Sequence, residues 1–87
     1  MYTTVDLVGV NLSNSSLEIS VDVQGIEGDF YGVISREDFE CGIWQPEQYS
    51  ERLFCKGTLW FSDSAQTLRV YRTGDNEQAF TIDFTVP

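Results

Sequence analysis

The sequence predicts an α+β domain: an antiparallel sheet of about six strands, as a small sandwich or open barrel, with one or two short helices between strands three and four. Three observations lead there. Apolar and polar residues alternate with period two near both ends of the chain, turn-forming clusters separate the alternating runs, and the middle carries helix start and stop signals. An all-β sandwich is the alternative.

Leu17, Ile19, Val21 and Val23 alternate with Glu18, Ser20, Asp22 and Gln24, the pattern of a strand with one dry face. Phe80, Ile82, Phe84 and Val86 alternate with Thr81, Asp83 and Thr85 in the same way. Tyr2 to Leu12 is strand-like but apolar on both parities, which predicts a strand more buried than its neighbours. Ser13 to Ser16 and the glycine-bounded Gly25 to Asp29 read as turns. Phe30 to Ile34 is then the third strand. Gly57 to Phe61 and Thr67 to Arg72 flank a polar loop, and Thr73 to Glu77 leads into the last strand.

Ser35 to about Phe54 is read differently. Ser35 is placed to accept a free amide hydrogen at a helix start, with Glu37 and Asp38 at the positive end of the dipole and Gly42 as the stop. Pro46 suits the first position of a second helix reaching about Leu53, with Glu47 in its first turn and Arg52 in its last. A single irregular crossover is the alternative for this stretch.

The 87 residues form one domain, 1–87, and six phenylalanines, four tyrosines and two tryptophans supply its core material. Each buried ring removes about 150–250 Å² from water. Met1 to Ser16 has no basic start and no unbroken apolar stretch, so no targeting segment is expected. No apolar run approaches the ~18 residues of a membrane span. A cytoplasmic location is therefore expected, with Cys41 and Cys55 as reduced thiols packed as small apolar groups; one bridge is the alternative.

The net charge of −9 is unevenly spread. Residues 1–26 hold three acids and no base, residues 27–51 hold seven acids against Arg36 alone, and residues 52–87 balance four against four. Such asymmetry bears on partners, not on fold. Histidine is absent, which removes the usual proton-transfer group near neutral pH and with it the Ser-His-Asp and Cys-His arrangements. Lys56-Gly57-Thr58 lacks the glycine spacing of a phosphate loop. Two cysteines cannot complete a zinc site without carboxylates, and Asp75-Asn76-Glu77 lacks the calcium-loop pattern. No enzyme activity, cofactor or metal is expected. Direct nucleic-acid binding is not expected either, since an acidic chain gains nothing from counterion release.

The middle segment carries the functional expectation. Glu37, Asp38, Glu40, Glu47 and Glu51 surround Trp44 and Tyr49, a combination that fits aromatic anchors inside an acidic rim. Phe39 is assigned to the core, while Trp44 and Tyr49 stay open between core and surface. The expected function is a non-enzymatic binding protein that engages a basic protein surface, of the inhibitor, immunity or nucleic-acid-mimic type. The alternatives are a self-associating structural or accessory protein pairing through strand edges or apolar sheet faces, and a small-molecule binder walled by Trp44, Tyr49 and Trp60.

Overall fold

A computed structural model describes residues 4–44, 51–59 and 64–87, position 44 for its backbone alone. The strands are β1 (Val5–Ser13), β2 (Ser16–Val23), β3 (Phe30–Ile34), β4 (Glu37–Trp44), β5 (Arg52–Thr58), β6 (Ala65–Arg72) and β7 (Gln78–Thr85). They form one seven-stranded sheet in the order β1-β2-β5-β4-β3-β6-β7, antiparallel at every neighbouring pair.

The fold is therefore all-β among the described residues, and the α+β expectation is corrected. Ser35 does not cap a helix. At φ 58° it is the first of two residues, Ser35 and Arg36, that turn β3 into β4 and set Ile34 opposite Glu37; a positive φ at the first loop residue alone is the pattern of a type II′ hairpin. Glu37 to Trp44 then runs as a strand because Phe39, Cys41 and Ile43 alternate with Asp38, Glu40 and Gly42. Period two places the apolar residues on the core side, and that burial outweighs the poor strand propensity of the acids. Arg52 and Leu53, expected at a helix end, begin β5. Pro46 to Ser50, the rest of that expected helix, lies outside the described residues. The all-β alternative fits this architecture.

The sheet curls into a nearly closed barrel. Its inner face is built from Leu17, Ile19, Val21 and Val23 of β2, Leu53 and Cys55 of β5, Phe39 of β4, Phe30 and Ile34 of β3, Leu68 and Val70 of β6, and Phe80 and Phe84 of β7. No described polar or charged side chain is buried among them. Two glycines let the wall close tightly. An added Cβ at Gly57 would sit 2.7 Å from the Phe39 ring, and one at Gly32 would sit 2.8 Å from Leu68. Phe39 thus fills the space that Gly57 leaves, and the expectation that it is core holds at 1% exposure.

Seven alternating strands leave β1 and β7 running the same way, so the barrel could be sealed only by a parallel pair. The two strands approach within 8 Å at their Cα atoms but form no ladder. This seam explains why β1 departs from its sequence pattern. Expected to be more buried than its neighbours, it is an edge strand, with Leu7 40% and Val8 46% exposed. Leu7 pairs with the buried Val21 and so has the inward parity, but the open seam uncovers it, and a register shift between Leu7 and Gly9 reorients the strand.

The thiol expectation is also corrected. Cys41 and Cys55 stand directly opposite on β4 and β5, with Cα atoms 4.0 Å apart, and are joined by a disulfide. The reduced-thiol expectation rests on the cytoplasmic reading, and the alternative of one bridge is what the structure shows. No helix among the described residues is long and apolar enough to cross a membrane.

Candidate functional site

Because β4 is extended, Glu37, Asp38, Glu40 and Trp44 are strung along it and not gathered on a helix face. Glu37 and Trp44 lie at opposite ends of the strand, about 23 Å apart at 3.3 Å per residue. Asp38 and Glu40 share the outward parity, opposite to that of the buried Phe39. Glu37, at the turn, has the inward parity but is exposed at the barrel rim. Glu51 is exposed at the other end, where its carboxylate accepts a hydrogen bond from the Gly25 amide at 3.3 Å. The structure brings Asp38 and Glu40 together, with Glu37 beside them. It separates Glu51 from them, and Glu47 and Tyr49 lie outside the described residues.

The register shows what surrounds Glu40. Across β2, β5, β4, β3 and β6 one outer-face row reads Glu18, Lys56, Glu40, Tyr31, Tyr71. The next row toward the rim holds Asp38, Val33 and Arg69. Tyr31 and Tyr71 are stacked, with ring centroids 5.4 Å apart and planes inclined by 23°. Such pairs stabilise by about 0.5–1.5 kcal/mol beyond their area. The Tyr31 hydroxyl donates to Asn76 Oδ1 at 3.0 Å, and Asn76 itself sits at φ 58° in the loop between β6 and β7. Tyr31 is thereby held on one face and at its tip.

Between Tyr31 and the β4 carboxylates runs an open groove of about 610 Å³, lined by Phe30, Tyr31, Asp38, Phe39, Glu40 and Cys41. A second, more polar groove of about 420 Å³ lies on the other side of β4, against Lys56, Gly57 and Thr58. Sequence reasoning missed Tyr31 and Tyr71 as site residues. The signal was present in parity: Phe30 and Ile34 are inward on β3, as are Leu68 and Val70 on β6, which turns both tyrosines outward.

Charge is neutralised unevenly. Arg52 pairs with Asp22 at 2.9 Å, and Lys56 lies 3.7 Å from Glu18. Arg72 pairs with both Asp75 and Glu77 in the β6–β7 loop. Arg69 donates to the Ser35 carbonyl at 2.8 Å. Among the described residues, none of the ion pairs engages Glu37, Asp38 or Glu40. Asp75 shows the opposite situation: hydrogen bonds from the Arg72 guanidinium and the Glu77 amide lower its pKa to about 2. No group of three potential metal ligands gathers among the described residues.

Comparison with protein families, with curated proteins and with solved structures returned no match.

Proposed function

We propose that this protein is a non-enzymatic binding protein that engages a basic protein surface through the outer face of β3, β4 and β6. One observation carries the reading: the exposed carboxylates of Glu37, Asp38 and Glu40 have no ion-pair partner among the described residues, whereas Arg52, Lys56 and Arg72 are each committed to acids. Three carboxylates without an ion pair among the described residues thus lie on or beside the sheet face that carries two outward tyrosines. Acidic groups of this kind steer a basic partner and accelerate encounter, while aromatic residues supply most of the binding energy. Glu51, whose carboxylate accepts the Gly25 amide at the other end of the strand, is not part of this surface. Capture of partners by the parent and by the triple variant Glu37→Lys/Asp38→Lys/Glu40→Lys tests the reading. Basic proteins retained by the parent at low salt and lost by the folded variant are the expected result; equal retention overturns it.

The bridge bears on location. A disulfide persists where thiols are oxidised, so an oxidising compartment is the reading it favours over the cytoplasmic one. Alkylation in freshly lysed producing cells decides: two alkylated cysteines return the protein to a reducing compartment.

A second reading, self-association through β1, is favoured by the exposed Leu7 and Val8 on an edge strand. Concentration-dependent mass in solution, abolished by Val8→Lys, is its expected signature.

A further inference from the structure

We infer that the groove between Tyr31 and Glu40 is a slot for an arginine side chain from an extended basic segment of the partner. This rests on the reading above and names the group that the acidic face recognises.

The inference starts from the ring, not from the carboxylates. Tyr71 covers one face of Tyr31 and Asn76 holds its hydroxyl, so the ring is fixed before any ligand arrives. In the outer-face row Tyr31 stands between Tyr71 and Glu40. With Tyr71 on one side, the remaining face of Tyr31 is turned toward β4, where the groove opens. A planar cation laid on that face meets the ring quadrupole on one side and the carboxylate of Glu40 at its edge. Asp38, two residues along on the same face of β4, is about 7 Å away along the strand and also lines the groove. Charge complementarity therefore selects a cation, and the aromatic face of Tyr31 favours a flat one. Guanidinium satisfies both demands: it stacks on aromatic faces and donates in a fork to carboxylates, whereas an ammonium is a compact, strongly hydrated point charge. A ring already held in place costs little further side-chain ordering on binding.

Three blocked peptides, Gly-Arg-Gly, Gly-Lys-Gly and Gly-citrulline-Gly, test this at low salt with the whole chain, by following backbone amide shifts. The expected result is that the arginine peptide moves Tyr31, Asp38 and Glu40 and binds about two- to fivefold tighter than the lysine peptide. The citrulline peptide, equally flat but uncharged, should bind more weakly than both. Tyr31→Phe should keep the arginine preference, and Tyr31→Leu should abolish it. Should Tyr31→Leu fail to fold, Glu40→Gln decides, since it removes the carboxylate and leaves the stack in place. Equal binding of arginine and lysine peptides at these residues overturns the slot while leaving the basic-surface reading standing. Arginine-induced shifts that map elsewhere, or none at all, also overturn the slot; the reading beneath it is then decided separately by capture with the triple charge reversal.

Discussion

The β3–β4 and β6–β7 hairpins lie side by side, joined through the β3–β6 ladder, and treat their acids in opposite ways. In β6–β7 the acids belong to the loop. Asp75 and Glu77 are drawn onto Arg72, three and five residues earlier in the chain, and Asp75 also accepts the Glu77 amide at 3.1 Å. In β3–β4 the acids belong to the strand. Asp38 and Glu40 project from the outer face, and no ion pair engages them among the described residues. The same residue type thus shapes a turn in one hairpin and remains available to solvent in the next. The difference teaches that acid count says little until the nearest cation is known.

If β4 is held by its inner face and its outer face is free for other work, the two faces should answer mutation very differently. Phe39→Ala empties the space over Gly57 and should cost about 3–5 kcal/mol, measured as the shift in urea midpoint multiplied by an unchanged slope. A loss below about 1 kcal/mol would mean that the strand is secured elsewhere. The covalent tie comes next. Replacing Cys41 and Cys55 together by alanine opens a link across a sequence separation of 14 and should cost about 2–4 kcal/mol. Thermal unfolding with and without reductant checks this. Reductant should shift the parent and leave the double variant unmoved.

The inner face of β4 also shows what was legible in the sequence. Phe39, Cys41 and Ile43 alternate as plainly as Leu17 to Val23 do, but Ser35-Arg36-Glu37-Asp38 imitates a helix start and the carboxylates fill the intervening positions. A serine at positive φ in a two-residue turn looks, in sequence, like a serine at a helix cap. Strands β2 and β7 were readable because their polar residues include several that strands tolerate well, such as serine and threonine. The edge position of β1 was not readable, since burial there depends on a seam fixed by the direction of all seven strands. Of the site, the acids on β4 were visible as charge. Their stacked tyrosine neighbours were not, because Tyr31 and Tyr71 are forty residues apart and meet only through the β3–β6 register.

Neutralising the outer-face charges is the sharper test of the comparison and a smaller effect. Asp38→Asn with Glu40→Gln should change stability by no more than about 0.5 kcal/mol at each site, as exposed charges do. At low salt the direction should be toward greater stability, because self-repulsion falls. Arg72→Ala should act the other way, since it leaves Asp75 and Glu77 unpaired beside each other. Denaturation at two ionic strengths separates the cases. A stability loss in the Asp38/Glu40 variant that persists in high salt would show these acids to be structural after all.

The smallest expected effect concerns acid. With its folded pKa lowered from 3.8 to about 2, Asp75 binds fewer protons in the folded than in the unfolded chain between those values. Its contribution to stability is therefore full above about pH 4 and is lost as the pH falls toward 2. The group is exposed and its contribution correspondingly modest, so the loop should report it better than the global midpoint. Protonation removes the charge that holds Arg72 and weakens acceptance of the Glu77 amide, and Asn76 lies between those two residues. Asn76 is also the acceptor for the Tyr31 hydroxyl. Loosening the β6–β7 loop should therefore be felt across the sheet as a change in the Tyr31 ring resonances over the same pH range. A carboxyl carbon titration of Asp75 with a midpoint near 2, accompanied by a parallel movement of Tyr31, is the expected result. In Arg72→Ala both transitions should move up toward the ordinary carboxylate range. If Asp75 titrates low while Tyr31 stays still, the neutralised loop and the acidic face are independent, and the loop has no part in presenting the ring.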